Sequence, residues 1–397
     1  MQPALPLKTA MTLQSLLLCP DEKIVRVLRR VLNDLEIAVE QCADTELAIQ
    51  RLSRRRFEAV IVDCQNVEIA TQILSAARNA PSNKKAVTVA LIDEQSDVRA
   101  AFRLGAHFVL FKPISPERAK CSFRAARALM KCERRRACRL PVEMPVMYRL
   151  KGHESDELQR TVSSDLSEDG LGVRMPRHGR NRGPMHVQFK LPGAIRLIET
   201  DAELAWENPN GQAGLRFIDL PQETRQALKT WLKNNSPEND DDPPAPCKLT
   251  DLSLGGCYLE TSSPFPVRAR VDLSMRVGSL QVQASGLVKV MHPDVGMGVV
   301  FIQRTAEQHK QVENFIQALM ESNGVAPELF VEPDGLESGG TLNVPIASNL
   351  DDPLLELFEH KADLPTHEFL AELRKQRTSE SVEHAEASPG VFDTAGI

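Results

Sequence analysis

Between residues 13 and about 130, short and fully apolar runs alternate with segments whose apolar residues recur at helical spacing. The helical spacing is clear over Lys23–Leu35, Thr45–Ser53 and Val98–Leu104. This alternation predicts a doubly wound α/β domain over residues 13–130, with a parallel sheet covered by helices on both faces. The apolar runs that predict the strands are Ser15–Cys19, Ile37–Val39, Ala59–Val62, Val87–Ile92 and Phe108–Phe111.

From Pro141 onward, apolar and polar residues alternate with period two between turns rich in Gly, Asn and Pro, which predicts an all-β region. The region contains an internal repeat. Asp165-Leu-Ser-Glu-Asp-Gly170 recurs 86 residues later as Asp251-Leu-Ser-Leu-Gly-Gly256. Each copy runs into a segment with the pattern of an amphipathic helix, Pro221–Lys233 and Thr305–Met320. Two similar small β domains, each with a C-terminal helix, are the simplest interpretation.

A polar, proline-rich segment separates the two copies, and the end of the chain is acidic. From Glu321 onward there are 16 acidic and 4 basic residues, so the tail has a net charge of −12 and the first 320 residues have a net charge of +6. We expect one β domain over residues 131–235, a linker over 236–245 and a second β domain over 246–322. Residues 323–397 are expected to be mostly disordered. A short amphipathic helix near 351–376 would dock on a partner or fold back on its own protein.

Composition excludes several classes of function. Aromatic residues make up 5% of the chain, too few for a single-strand nucleic-acid binder that stacks bases. No apolar run approaches the length of a membrane helix, so we expect no membrane span. The eight cysteines are scattered without zinc spacing, which indicates reduced thiols in the cytoplasm and no metal site. No nucleophile–base pattern is present, so we expect no enzyme.

Nine Lys and Arg residues lie between Arg118 and Arg139, and the last of them carry candidate binding chemistry. Arg135 and Arg139 are four residues apart, ahead of Pro141 and Pro145, where a helix gives way to an extended arm. A guanidinium pairs bidentately with phosphate oxygens or with the O6/N7 edge of guanine. The alternative is a solvated, basic helix end.

The first copy of the repeated motif carries complementary groups. If the segment is extended, the side chains of Asp165 and Ser167 point the same way. A carboxylate accepts hydrogen bonds from guanine N1–H and N2–H, and Gly170 permits a tight turn or the close approach of a ligand. The alternative is a capped turn between two strands.

The sequence contains, in this order, an Arg-x-x-x-Arg pair, Asp-x-Ser-x-x-Gly, a late Gly-x-x-Phe and a helix. This ordered set of motifs resembles the PilZ domain family. The resemblance covers about Arg134 to Lys233. It implies a small six-stranded β-barrel that binds cyclic di-GMP, as one ligand or as an intercalated pair. Arg135 and Arg139 would grip guanine and phosphate, with a further contact from Arg134. Asp165 and Ser167 would hold a guanine, and Gly170 would shape the loop.

The second copy keeps Asp251, Ser253 and Gly256, but the segment ahead of it is acidic and has no arginine pair. Phosphates would face carboxylates there, which is repulsive. We therefore expect a PilZ-like barrel that does not bind the ligand.

The N-terminal pattern resembles a response-regulator receiver of flavodoxin-like fold, with Asp63 at the phosphoacceptor position and Lys112 at the lysine position. Two features depart from that family. Receivers place adjacent carboxylates after the first strand to bind Mg²⁺, whereas this chain reads Cys19-Pro20-Asp21, and the expected Thr or Ser is missing within Ala90-Leu-Ile-Asp93. We expect a degenerate receiver that makes protein contacts.

The leading hypothesis is a bacterial, non-enzymatic cyclic di-GMP effector. Ligand binding at the connector would rearrange the domains and signal to a downstream protein that the sequence does not identify. One alternative is a phosphorelay output protein acting through Asp63, and another is a ligand-independent PilZ scaffold. We expect no nucleic-acid ligand, because the basic connector has no DNA-reading module.

Overall fold

The computed structural model describes residues 12–93, 98–150, 158–175, 183–218, 220–235, 242–303, 305–322, 326–337, 352–362 and 364–375. These residues fall into two compact units. The first unit spans residues 133–241 and contains the first β domain. The second spans residues 12–132 and 242–397, and it contains the α/β domain, the second β domain and the tail.

The α/β domain has a parallel five-stranded sheet in the order β2-β1-β3-β4-β5, which is the flavodoxin-like order. All five apolar runs found in the sequence contribute to these strands. Most strand residues are buried because helices cover both faces of the sheet. The strands are β1 (Leu13–Leu18), β2 (Ile37–Cys42), β3 (Ala59–Asp63), β4 (Val87–Asp93) and β5 (Phe108–Lys112).

Side-chain caps fix where three helices of this domain begin. Asp21, Asp44 and Asn66 each accept hydrogen bonds from backbone N–H groups in the first turn of the helix that follows. The last helix is long and packs Phe123, Leu129 and neighbouring residues into the core. The helices are α1 (Glu22–Asp34), α2 (Thr45–Arg54), α3 (Val67–Asn79), α4 (Val98–Leu104) and α5 (Pro116–Ala137).

The first β domain is a six-stranded barrel in which the ring β8-β7-β10-β11-β12-β9 closes through pairing of β9 with β8. Its core is an apolar cluster that includes Leu228 and Leu232 of the closing helix α6 (Gln222–Asn235). A two-residue strand, β6 (Leu140–Pro141), pairs with the end of β8. The barrel strands are β7 (Pro145–Leu150), β8 (Gln159–Ser167), β9 (Gly170–Arg174), β10 (Met185–Lys190), β11 (Leu197–Glu207) and β12 (Gln212–Ile218).

The second β domain is also a closed six-stranded barrel, in the order β13-β14-β17-β16-β15-β18. Helix α7 (Ala306–Glu321) follows the fifth strand and begins with a capping box of Thr305 and Gln308. Its strands are β13 (Ala245–Leu252), β14 (Gly256–Glu260), β15 (Ala269–Val277), β16 (Leu280–His292), β17 (Gly296–Phe301) and β18 (Glu328–Leu336).

The two barrels have the same strand arrangement but a permuted chain order. In the first barrel, β7 lies between the motif strand β8 and β10, and it precedes them in sequence. In the second barrel, β18 takes the corresponding place between β13 and β15, although it follows them in sequence. The acidic, proline-rich linker has no strand pattern to supply this sixth strand, so a segment beyond α7 supplies it.

The expectation of an acidic tail from residue 323 is therefore corrected for residues 328–336, which belong to the barrel. Charged residues such as Glu328 and Glu332 alternate with Leu329 and Val331, whose side chains are buried. The charges face solvent and the apolar residues complete the core, so the acidic composition hides a barrel strand.

Two short tail helices pack on the second barrel, at the position where the sequence predicts a helix near 351–376. They are α8 (Pro353–His360) and α9 (366–375). Leu355, Phe358 and Phe369 are buried in one cluster with Tyr258 and with Val290 and Val300 of the barrel. Of the two alternatives for this segment, the structure has it folded back on its own protein.

Candidate functional site

In the first barrel, the Asp-x-Ser-x-x-Gly motif forms the tight turn that joins β8 to β9. Ser167 is buried, and its Oγ donates a hydrogen bond to the carbonyl oxygen of Gly170 (3.1 Å). A Cβ atom at Gly170 would collide with the carbonyl oxygen of Leu215 on β12, so only glycine fits there. Ser167 therefore stabilises the turn. The extended pattern predicts that its side chain points outward beside Asp165, but in the structure it does not.

Asp165 lies on the outer side of this turn and is half-buried. Its Oδ1 accepts a hydrogen bond from Arg139 Nη1 (2.7 Å), and its Oδ2 accepts one from Ser164 Oγ (2.8 Å). A Cβ atom at Gly172 would clash with both polar groups, so the absence of a side chain there leaves room for the carboxylate. β6 pairs Pro141 with Asp165, which brings the chain just after Arg139 alongside the motif strand.

The last turn of α5 supplies the other basic groups of the site. Arg135 lies with its Nε 3.7 Å from Oε1 of the buried Glu168, and Arg136 Nη2 lies 3.2 Å from Oδ1 of Asp169. Arg134 is half-buried in the same turn. The structure thus brings together the predicted residues Arg135, Arg139 and Asp165, with Arg134 adjacent to Arg135 in the chain.

The sequence prediction missed three members of this cluster, namely Arg136, Glu168 and Asp169. Their signal was visible but not used: Glu168 and Asp169 occupy the two unspecified positions of the motif, and Arg136 extends an arginine triplet. Three guanidinium groups face three carboxylates, so Arg135, Arg136 and Arg139 are each paired with a carboxylate of the motif segment. A ligand that carries both phosphates and guanine N–H donors can replace both halves of these pairs.

Trp206 is a further exposed group on the same outer side of the barrel. Its indole lies over Gly214, where a Cβ atom would collide with the ring, and Gly214 pairs with Gly172 beside Asp165. The side chain is 40% exposed, and an irregularity in β11 between Leu204 and Trp206 sets its register. The exposed ring provides a flat surface on which a nucleobase can stack.

The second copy of the motif makes the same turn, but different residues pack on it. Ser253 Oγ lies 3.3 Å from Gly256 O, as in the first barrel, and Asp251 Oδ1 accepts from the N–H of Leu252 (2.9 Å). The N–H of Gly255 donates to Oδ2 of Asp352 in the tail (3.1 Å). Leu355 then packs against Gly255 and Gly256, so the tail lies on the turn where the first barrel carries arginines.

The PilZ family model matches this chain twice, over residues 133–234 and over residues 237–318. The chain contains two PilZ domains. PilZ domains bind ligands and are not catalytic, and cyclic di-GMP binding is the function of the family. The second match ends before β18, so the tail strand that completes the second PilZ domain lies outside the family pattern.

Solved structures that resemble parts of the chain fall into two groups. The chemotaxis response regulator CheY4 of Vibrio cholerae is 23% identical with a TM-score of 0.27, and the match covers 29% of this chain and 99% of that chain. The PilZ domain of CeSA from a cellulose-synthesizing bacterium is 18% identical with a TM-score of 0.21, and the match covers 25% of this chain and 97% of that chain. Comparison with curated proteins gives no match.

In the receiver-like domain, Asp63 is buried, and neighbouring side chains contact both oxygens of its carboxylate. Lys112 Nζ donates to Asp63 Oδ1 (2.6 Å), and the thiol of Cys19 lies 3.5 Å from Oδ2. Burial is the main cause that raises the pKa of Cys19 to about 11, so the thiol stays neutral at pH 7. The structure thus brings the two predicted residues, Asp63 and Lys112, into direct contact.

The same pocket does not fit Mg²⁺. Asp21, the second carboxylate that the sequence suggests, is occupied as the N-cap of α1, where it accepts from the backbone N–H groups of Lys23 and Ile24. Asp93 lies 4.0 Å from Lys112 Nζ, so it is paired with the same lysine as Asp63. A neutral thiol takes the place of a hard oxygen ligand beside Asp63. The pocket therefore does not support phosphotransfer through a metal ion.

Within the described part of the chain, no cluster of three or more His, Cys, Asp or Glu residues is arranged to hold a metal ion. None of the helices there has both the length and the apolar character needed to cross a bilayer.

Proposed function

We propose that this protein is a cyclic di-GMP effector whose ligand site is the outer face of the first PilZ domain. The observation that carries the proposal is the convergence of Arg135, Arg136 and Arg139 on the carboxylates of the motif turn. Cyclic di-GMP carries two anionic phosphates and two guanines. Its phosphates match the guanidinium groups, and its guanine N1–H and N2–H match the carboxylate of Asp165.

Binding would exchange internal ion pairs for ligand contacts. Arg139 would leave Asp165 for a phosphate or a guanine edge, and Asp165 would then accept from guanine. Trp206 would stack against a base. Because these groups are held close together before binding, little side-chain entropy is lost when the ligand replaces the internal pairs.

The arginines belong to the C-terminal end of α5 and to the short arm after it, while Asp165 belongs to the barrel. A ligand that changes the Arg139–Asp165 and Arg135–Glu168 pairs would therefore act on the helix that follows the last strand of the receiver-like domain. We infer that the output is a rearrangement at this connector, which a downstream protein partner would detect.

Calorimetric titration of cyclic di-GMP into the full chain tests the proposal. In the Arg135→Ala/Arg139→Ala variant we expect affinity to fall by about 100-fold or more, because hydrogen bonds to charged groups contribute about 1.5–3 kcal/mol each. The matched control is Arg225→Ala/Lys229→Ala, which removes two cations with the same spacing from α6 and should bind normally. The stoichiometry distinguishes one ligand from an intercalated pair. Absence of binding to the unaltered chain would contradict the proposal and leave a ligand-independent scaffold.

A further inference from the structure

A cavity of about 1300 Å³ lies in the second compact unit, where the receiver-like domain, the second PilZ domain and the tail meet. Residues of α3, α4 and β5 line one side, and the barrel contributes its turn before β15 and the end of β16. The tail contributes Leu364 and Pro365. The cavity is distinct from the cyclic di-GMP site proposed above, which belongs to the other unit.

The described lining of this cavity is strongly basic. Among the described residues, four of its basic side chains have no hydrogen-bond or ion-pair partner, although two of them act electrostatically on Glu337; they belong to Arg78, Lys84, Arg268 and Lys289. Arg99 and Arg103 add two further guanidinium groups to the lining. Glu337 is the one carboxylate among the described lining residues, so the excess of positive charge is large.

Two of the arginines come from different domains and approach the same imidazole. Arg78 on α3 lies over Gly105, where any side chain would collide with its guanidinium. Arg268 precedes β15 with a φ of 70°, a conformation that is uncommon outside glycine, and its backbone hydrogen-bonds to Val288 and Glu337. Burial first, and then the charges of Arg78 and Arg268, lower the pKa of His107 to about 4. The neutral imidazole therefore lies within the field of both cations.

His292 is a further titratable residue at this cavity. It is 4% exposed, it lines the cavity, and its Nδ1 lies 2.9 Å from the hydroxyl of Tyr258. Its Nε2 is buried and has no hydrogen-bond partner in the described part of the chain. If Tyr258 donates to Nδ1, Nε2 carries the proton and is a donor without an acceptor.

We propose that this cavity binds a phosphate-bearing anion of nucleotide size. Arginine and lysine are the side chains that recognise phosphate, and the volume exceeds that of a typical small-molecule pocket. Apolar side chains such as Phe102, Phe111 and Met291 also line the cavity and offer surface for a base. The ligand would contact both Arg78 of the receiver-like domain and Arg268 of the barrel, and it would couple the two domains.

The test uses the full chain in the Arg135→Ala/Arg139→Ala background, so that the site on the first PilZ domain is disabled. ADP is the main probe, and inorganic pyrophosphate and cyclic di-GMP are compared with it by calorimetry. We expect saturable binding whose affinity falls at least about tenfold in Arg78→Gln/Arg268→Gln, because charge-assisted hydrogen bonds are lost. Arg30→Gln/Arg276→Gln, a matched loss of two exposed charges in the same two domains, should change affinity little.

Arg78→Lys/Arg268→Lys keeps the charge and checks that a loss of binding does not reflect unfolding, with thermal unfolding of each variant measured in parallel. Equal binding of pyrophosphate and ADP would support the site and assign recognition to phosphate alone. Tighter binding of cyclic di-GMP, lost in Arg78→Gln/Arg268→Gln, would support the site with that ligand. No saturable binding of any probe, or equal binding by all variants, would overturn the proposal.

Discussion

The two PilZ domains build the same motif turn and place different groups on it. In both, a serine hydroxyl lies beside the carbonyl oxygen of the last motif glycine. In both, that glycine packs so closely on a neighbouring strand that a Cβ atom would meet a backbone carbonyl oxygen. The Ser and Gly of the motif are thus explained by the turn alone. They do not distinguish a barrel that binds a ligand from one that does not.

The difference lies in what covers the turn. Arginines from α5 and its arm face the first motif, whereas Asp352 and Leu355 of the tail face the second. Glycines on the neighbouring strands show the same difference. An exposed side chain, Trp206, lies over Gly214 in the first barrel, and a buried tail side chain, Phe358, lies over Gly298 in the second. The second PilZ domain uses as an internal packing surface the face that we propose as a ligand site in the first.

The largest expected effect is the loss of stability when a buried tail side chain that packs on the second barrel is truncated. Phe358→Ala should lower the free energy of unfolding of the second unit by about 3–5 kcal/mol, the usual range for truncating a buried phenylalanine. Met320→Ala is the control, since that side chain is 79% exposed. Urea denaturation of the full chain measures both. Cyclic di-GMP affinity should stay unchanged, and a new cyclic di-GMP site in Phe358→Ala would show that only the tail prevents the second PilZ domain from binding the ligand.

Acid should weaken the same packing. Burial lowers the pKa of His292 to about 4, below its ordinary 6.5, so the unfolded chain takes up a proton at a higher pH than the folded one. Stability should therefore be fully present above pH 6.5 and fall as the pH drops toward 4, by up to about 3 kcal/mol from this residue.

His292→Gln should flatten this fall in urea denaturation measured between pH 6.5 and 4. His107, whose pKa is also lowered to about 4, would keep part of the slope in the variant. An identical pH dependence in the variant and the unaltered chain would show that His292 does not titrate as we infer.

The matched aspartates give the cleanest comparison of the two motifs. Asp165→Ala should weaken cyclic di-GMP binding by about 10- to 100-fold, because a charge-assisted hydrogen bond is lost. Asp251→Ala should leave it unchanged, because this carboxylate has no arginine arm near it in the sequence. Titration calorimetry of both variants decides. A similar loss in Asp251→Ala would mean that both barrels bind.

The smallest of the four expected effects is the loss of cyclic di-GMP affinity when Trp206 is replaced. Trp206→Ala should weaken binding by about tenfold, or about 1.4 kcal/mol, which lies in the lower part of the range of about 1–3 kcal/mol for base stacking on an aromatic ring. Trp206→Phe should recover part of the affinity, since it keeps a ring at that position. Fluorescence of the tryptophan on addition of cyclic di-GMP gives a second measure, and an unchanged affinity in Trp206→Ala would remove this residue from the site.

The sequence was sufficient for the local elements and for those site residues that belong to a spaced motif. Apolar runs and period-two alternation predict β1–β5 and the presence of two barrels, because burial imposes these patterns on the chain. β18 was missed because its alternating acidic residues resemble a solvated tail and because α7 separates it from the other strands. Neither feature prevents Leu329 and Val331 from completing the core.

The candidate site was also predicted only in part from the sequence. Arg135, Arg139 and Asp165 were predicted, but the inward direction of Ser167 depends on the turn geometry, which spacing does not specify. The basic cavity was beyond prediction for a simple reason. Arg78 and Arg268 come from different domains, and only the folded second unit brings both to the surroundings of His107.

Hydrogen exchange of the full chain, with and without cyclic di-GMP, reports which barrel face the ligand covers. We predict slower exchange in peptides that span residues 134–141 and 165–172, together with unchanged exchange in residues 251–258 and 353–360. Protection of the second motif instead of the first, or no protection at either motif at saturating ligand, would show that the first PilZ domain does not carry the ligand site.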